Sequence, residues 1–230
     1  MTRVIVIAGA AGSGKNTASQ VLRRLNPEVN EWAFADPLKH FCGEVFAFSQ
    51  EQLYGPTEMR NHVIPWSSQS VRRFRGAVEG FALDLAAWTE KSYDRCALAL
   101  YDWFQFMTDR SHELSPRLAL QTLGTEFTRD RLDFNVWVKA ARSRTNALFD
   151  GSIATITDGR FNNEFQAARG YDWELWHLER PGAGLEGEAG QHRSEQDMYG
   201  PVLRELRTHH YVNDGSLDDL EQTVTRWFTG

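Results

Sequence analysis

Gly9, Gly12 and Gly14, followed at once by Lys15, Asn16 and Thr17, are the residues of this sequence whose types and spacing most directly imply chemistry. Glycines so closely spaced let backbone N–H groups converge on one point, and a lysine beside them adds a mobile positive charge. Together they make a receptor for a polyphosphate. The stretch Gly9-Ala-Ala-Gly-Ser-Gly-Lys15-Asn16 fits G-x-x-x-x-G-K-[ST] except at its last position, where Asn16 replaces the hydroxyl that usually holds magnesium. Thr17 offers a hydroxyl one residue later. Further along, Ser152–Thr157 is a β-rich run that delivers Asp158 at its end, where an acid can order magnesium or its waters. Arg160 follows closely enough to clamp phosphate, and a second alternating run, Trp173–Leu178, delivers Arg180.

Regular elements must carry these groups. Val4–Ala8 is an apolar run that reads as a strand, and Ala18, Val21, Leu22 and Leu25 recur at helical spacing after the loop. Glu31–Ala35 alternates as a short second strand, and Asp36-Pro37 opens a helix with Asp36 at a capping position. Gln50–Trp66 is punctuated by Gly55-Pro56 and Ile64-Pro65 and reads as irregular or briefly helical. Ser67–Arg110 keeps helical apolar spacing. Ser115-Pro116 begins a further helix that runs to Asp130, and Phe134–Phe149 reads as another. Gly182–Gly190 is glycine-rich without lysine and reads as a loop or lid. His192 stands beside Ser194 and Asp197, a pattern that reads as a helix cap before it reads as catalysis. His209–Asn213 is the last strand, and a turn through Asp214-Gly215-Ser216 leads into a final helix. The adjacent His209 and His210 point to opposite faces of that strand, which argues against their joint metal binding.

Strands alternating with helices after a phosphate loop imply an α/β fold with a parallel sheet covered on both faces. Loops at the carboxyl ends of such a sheet share one crevice, so Lys15, Asp36, Asp158, Arg160, Arg180 and the Asn213 turn are expected to converge there. The expected division is a core of residues 1–49 and 150–230 and a helical insertion of residues 50–149. The 230 residues carry a net charge of −6, which argues against a general nucleic-acid binder. Two cysteines are too few for a disulfide framework, and no stretch is long enough to span a membrane. The expectation is a cytoplasmic protein whose many aromatic residues are mostly core.

The set GAAGSGKNTAS, FADPLKHF, LALQTLGTEFTRD, DGRFNNE, HRSE and VNDGSLDDL, in that order, resembles bacteriophage deoxynucleoside monophosphate kinases. The resemblance implies a P-loop NTPase fold of three layers, a central parallel sheet of about five strands and a helical substrate-binding insertion. It implies transfer of the γ-phosphoryl group of ATP, with Mg2+, to a deoxynucleoside monophosphate in the cytoplasm, the host's if the chain is phage-encoded, and often a dimer. It places Gly12, Ser13, Gly14, Lys15, Asn16 and Thr17 on the ATP phosphates and the metal, with Asp158 ordering the metal's water shell. Arg160 and Arg180 would clamp phosphate. Asp36, Lys39, Arg117, Gln121, Arg129 and Trp137 are the candidates for the acceptor, Trp137 as a stacking face. By analogy with other P-loop kinases, Asn213 and Gly215 form a rest for adenine. No nucleic-acid polymer or membrane partner is expected. The rivals are another small-molecule P-loop kinase, such as a phosphomevalonate kinase, and a non-catalytic nucleotide-binding switch.

Overall fold

A computed structural model describes residues 2–55, 57–184, 197 and 200–230. His192 and most of the Gly182–Gly190 segment lie outside the described residues. Contacts divide the chain into two compact units, Met1–Phe34 with Ala141–Gly230, and Ala35–Ala140.

The first unit is built on a strand buried from both sides. β1 (Arg3–Ala8) is apolar from Val4 onward, and Ile5 to Ala8 have no exposed surface, as expected of the middle strand of a parallel sheet. It runs into the glycine loop and α1 (Lys15–Leu25), and β2 (Asn30–Trp32) follows. The remaining strands come late in the chain: β3 (Ile153–Gly159), β4 (Glu174–Glu179) and β5 (His209–Val212). The order across the sheet is β2-β3-β1-β4-β5 and every pairing is parallel. The expected α/β architecture with a five-stranded parallel sheet is therefore what the chain adopts. The second strand is shorter than the sequence suggests, ending at Trp32 rather than continuing to Ala35.

Two helical layers cover this sheet. Ile5, Ile7, Trp176 and Leu178 pack on one face against Ala18, Val21 and Leu22 of α1 and against Leu220 and Val224 of the C-terminal helix, Leu217–Thr229. On the other face lies the helix Asn162–Gly170, whose Phe165 is fully buried; a Cβ on Gly159 of β3 would press on both Val6 of β1 and Phe165. Alternation along β1 thus sends odd-numbered residues to one layer and Val6 to the other.

The second unit is helical: α2 (Asp36–Phe46), α3 (Gln50–Tyr54), α4 (Thr57–Asn61), α5 (Gln69–Thr89), α6 (Tyr93–Asp109) and α7 (Pro116–Gln121), with α8 (Val136–Asn146) leading back to the first unit. Three helices of the first unit follow later in the chain: α9 (Asn162–Gly170), α10 (Pro201–Leu206) and α11 (Leu217–Thr229). The long helical stretch of the sequence is two helices, because Glu90 takes a left-handed conformation (φ 58°) and Ser92 caps α6 by accepting from the Arg95 amide. Boundaries drawn at 49/50 and 149/150 assign α2 to the sheet; in the structure α2 packs against α5 within the helical unit. Phe41 stacks on Phe81 at 4.3 Å and Phe74 on Phe104 at 4.2 Å, and Trp103 lies between Phe41 and Phe46 with its Nε1 donating to Thr122.

The helix expected over Ser115–Asp130 changes character halfway. After α7, residues Thr122–Arg129 wind as a π-helix, with the Asp130 amide reaching back five residues to the Thr125 carbonyl. Wider winding diverts carbonyls from the usual ladder. The Gly124 carbonyl accepts instead from Trp137 Nε1 at 3.0 Å and from the Thr128 hydroxyl at 3.1 Å. A Cβ on Gly124 would sit 2.8 Å from Leu38 Cδ2 of α2, so a larger residue there would require Leu38 to shift. Among the described residues no helix is long and apolar enough to cross a membrane.

Candidate functional site

The glycine loop takes the backbone path that its composition predicts. Gly12 (φ 80°) and Gly14 (φ 105°) are left-handed, a conformation costly for residues with a Cβ. Gly9 is required by space, since a side chain would overlap the Leu178 carbonyl and the Ser13 hydroxyl. Gly14 is the N-cap of α1 and supplies no side-chain bond, and the first turn of that helix holds no acidic residue. The opening amides of a helix have no intrahelical partner, and the dipole adds positive potential. The N-terminus of α1 therefore presents the positive end of its dipole with no acidic side chain in its first turn. Arg23 and Arg24 in its last turn complement the other end of the dipole.

Lys15 is 8% exposed, and its ammonium donates to the carbonyls of Gly9 (2.6 Å) and Ala10 (2.7 Å). It is thus held against the loop that it would serve. Asn16 is exposed, Thr17 is half-buried, and the Ser13 hydroxyl is buried.

Two later segments brace the loop. Asn213, at the end of β5, is 6% exposed and donates its side-chain amide to the Ser13 carbonyl at 3.0 Å. A Cβ on Gly14 would lie 2.7 Å from that amide. Asn213, expected at a rest for adenine, uses its side-chain amide to hold the glycine loop. The Gly184 amide donates to the Ala11 carbonyl, tying the turn after β4 to the same loop. Gly215 is exposed in the turn that Ser216 and Asp219 cap at the start of α11.

Asp158 lies on β3 one residue before Gly159, the partner of Ala8 at the entry to the loop. Its Oδ1 accepts the Phe34 amide at 2.6 Å, which ties the chain just beyond β2 to β3. Arg160 is positioned through its backbone: Glu164 Oε2 accepts the amides of Arg160 (2.8 Å) and Phe161 (3.0 Å). Glu164 is almost fully buried, so this carboxylate holds the N-terminus of α9 and the start of the arginine segment. Asp197 accepts from both the backbone and the side-chain amide of Asn162 at 2.9 Å. Sequence reasoning passed over Glu164, whose signal was an acid three residues into a helix directly after a strand. Arg180 is exposed at the end of β4. Lys15, Asp158 and Asn213, with the segments bearing Arg160 and Arg180, therefore belong to the carboxyl edge of one sheet.

The remaining candidates lie in the helical unit. Asp36 is the first residue of α2 rather than its cap, which is Ala35, and its carboxylate accepts the Tyr54 hydroxyl at 3.2 Å. Lys39 sits over the Tyr54 ring at 4.1 Å, so Tyr54, unnoticed in the sequence, joins the two. Arg117 donates through Nε to Asn61. Gln121 is half-buried at the junction of α7 with the π-helix. Arg129 is 5% exposed and donates to the Phe134 carbonyl at 3.3 Å. Trp137 departs from expectation: it is 2% exposed, packs near Phe81 and Trp88 and has given its N–H to Gly124. Its ring belongs to the interior and presents no stacking face.

No protein-family model matches the chain. A curated protein of Acanthamoeba polyphaga mimivirus, described as "Putative deoxynucleotide monophosphate kinase", is 28% identical over 194 residues, spanning 78% of this chain and 75% of that protein.

Proposed function

We propose that this protein is a deoxynucleoside monophosphate kinase that transfers the γ-phosphoryl group of ATP to a deoxynucleoside 5′-monophosphate, giving ADP and the diphosphate. The observation that carries this reading is the loop of Gly9–Thr17, with left-handed glycines, a buried lysine and an acid-free helix start at the carboxyl edge of a parallel sheet. The similarity to the mimivirus protein described as a deoxynucleotide monophosphate kinase supports the same reaction class. That relative lends nothing to a bacteriophage source.

The acceptor needs no general base. A phosphate monoester has a second pKa of about 6 and is mostly dianionic at neutral pH. The work is to hold two repelling anions in line and to neutralise charge on the group in transit. In this reading the amides of Gly12 to Thr17 bind the triphosphate. Lys15 leaves the Gly9 and Ala10 carbonyls for the β- and γ-phosphates, while Arg160 and Arg180 contact the transferring or accepting phosphate. Thr17 and Asp158 offer the hard oxygen donors that suit Mg2+, which when bound supplies charge neutralisation. Asp36, Lys39, Arg117, Gln121 and Arg129 are assigned to acceptor recognition.

A coupled ADP-release assay with ATP and each deoxynucleoside monophosphate tests the reading, with phosphomevalonate as the control acceptor. Turnover with at least one deoxynucleoside monophosphate is expected. Turnover with phosphomevalonate alone, or ATP binding without transfer to any acceptor, would refute it. The brace from Asn213 gives a second expectation. Asn213→Ala removes one buried hydrogen bond, worth about 1–2 kcal/mol with its desolvated partner, and should weaken ATP binding roughly five- to thirtyfold. Titration of ATP into variant and parent measures this directly. Equal affinities would remove Asn213 from the site.

A further inference from the structure

β4 and β5 bring together three metal-ligating side chains, none of them a residue of the glycine loop. His177 of β4 is paired in register with His210 of β5, and Glu179 lies two residues after His177, on the same face of β4. The imidazoles stack with centroids 5.0 Å apart at 26°. His210 Nε2 lies 3.0 Å from Glu179 Oε2. One ligand atom from each residue falls within 4.8 Å of the others. A tetrahedral ion with bonds of about 2.1 Å holds its donors about 3.4 Å apart. One pair, at 3.0 Å, is therefore near the required spacing, and no pair is wider than 4.8 Å.

We propose that His177, Glu179 and His210 bind a first-row divalent transition-metal ion of the Zn2+ type, which clips the edge strand β5 to β4, with Arg207 as the gate. Two imidazoles and a carboxylate are borderline ligands that suit Zn2+, Co2+ or Ni2+; Mg2+ prefers an all-oxygen shell. The site is therefore distinct from any magnesium that accompanies a nucleotide. Exposed His210 and Glu179 leave an approach from solvent.

Arg207, at the end of α10, sets the gate. Its Nη1 lies 3.2 Å from His177 Nδ1, and because arginine can only donate, Nδ1 accepts. A metal at Nδ1 must displace the guanidinium. A metal at Nε2 moves the ring proton to Nδ1, where it would face the same N–H. Either way the ion enters only as Arg207 swings out, so removing the arginine should favour the metal.

Zn2+ titrated calorimetrically into the chelator-treated full chain, and Co2+ followed by its visible absorption, test this. One ion per chain is expected, with no competition from excess Mg2+. His210→Gln and Glu179→Gln lie at exposed positions where folding is not at stake. Each should weaken binding by about a hundredfold or more, beyond the ten- to hundredfold cost of losing an outer-shell partner. Arg207→Ala should tighten it several-fold. Failure of the parent chain to take up either ion would overturn the site, as would binding unchanged in both Gln variants. Unchanged or weaker binding by Arg207→Ala would overturn the gate. None of these readouts involves phosphoryl transfer, so the site stands or falls separately from the kinase reading.

Discussion

Lys15→Ala is expected to lower the turnover number about a thousandfold while leaving the fold intact, on the scale of losing a single charge-stabilising donor from a phosphoryl-transfer site. The effect on folding is small because the ammonium's present partners do not depend on it alone. The Ala10 carbonyl, for instance, also accepts the Ser13 amide. The effect on chemistry is large because no other lysine or arginine stands within the loop. Charge gathers on the transferring group only as its bond to ADP loosens, so the loss should appear mainly in kcat, with ATP affinity changed less. Lys15→Arg keeps the charge, but a broad planar guanidinium does not reproduce a compact ammonium on a flexible stem, so it should recover only part of the rate. Single-turnover measurements with a thermal melt on each variant separate these contributions. Turnover in Lys15→Ala within tenfold of the parent would remove the loop from the mechanism.

Trp103→Ala should be the most damaging change to stability, costing about 3–5 kcal/mol, a large share of the 5–15 kcal/mol by which a typical domain is stable. The indole is fully buried and edged by Phe41 and Phe46, and its N–H is used by the Thr122 hydroxyl, which passes its own proton to the Leu118 carbonyl. Truncation opens a cavity where α2 and α6 meet the start of the π-helix. Trp103→Phe keeps most of the ring volume and surrenders chiefly the hydrogen bond, so its cost should be nearer 1–2 kcal/mol. Chemical denaturation of the three proteins gives the ranking. A Trp103→Ala variant as stable as its parent would mean that this core is far looser than its ring distances imply.

The part of the fold carried by local pattern could be read from the chain. An apolar run, three glycines and a lysine specify β1, the loop and α1, and alternation located β3, β4 and β5 to within a few residues. What escaped depends on residues distant in sequence. A single apolar seam does not distinguish α-helical from π-helical winding at Thr122–Arg129, and the Gly124 carbonyl is taken there by Trp137, 13 residues on. Asp36 looked like a cap, yet its partner Tyr54 comes 18 residues later. Trp137 carries an aromatic face that the sequence does not distinguish from a stacking platform, and the structure buries it. Glu164 carries no sign of burial in the local pattern, yet its carboxylate accepts two amides just after β3 and is almost fully buried. His177 and His210 are separated by 33 residues and meet only through the register of a parallel pair.

The middle place of β1 bears on how the chain matures during synthesis. Val4 finds its neighbour in Ala154 and Ile7 finds its own in Trp176, so an intensely apolar strand leaves the ribosome long before either flank exists. Ala35–Ala140, by contrast, is contiguous and rich in short-range helical contacts, the kind that form quickly. Val4–Ala8 is therefore the segment whose apolar side chains wait longest for their partners, and unpaired strands of this kind are where aggregation begins.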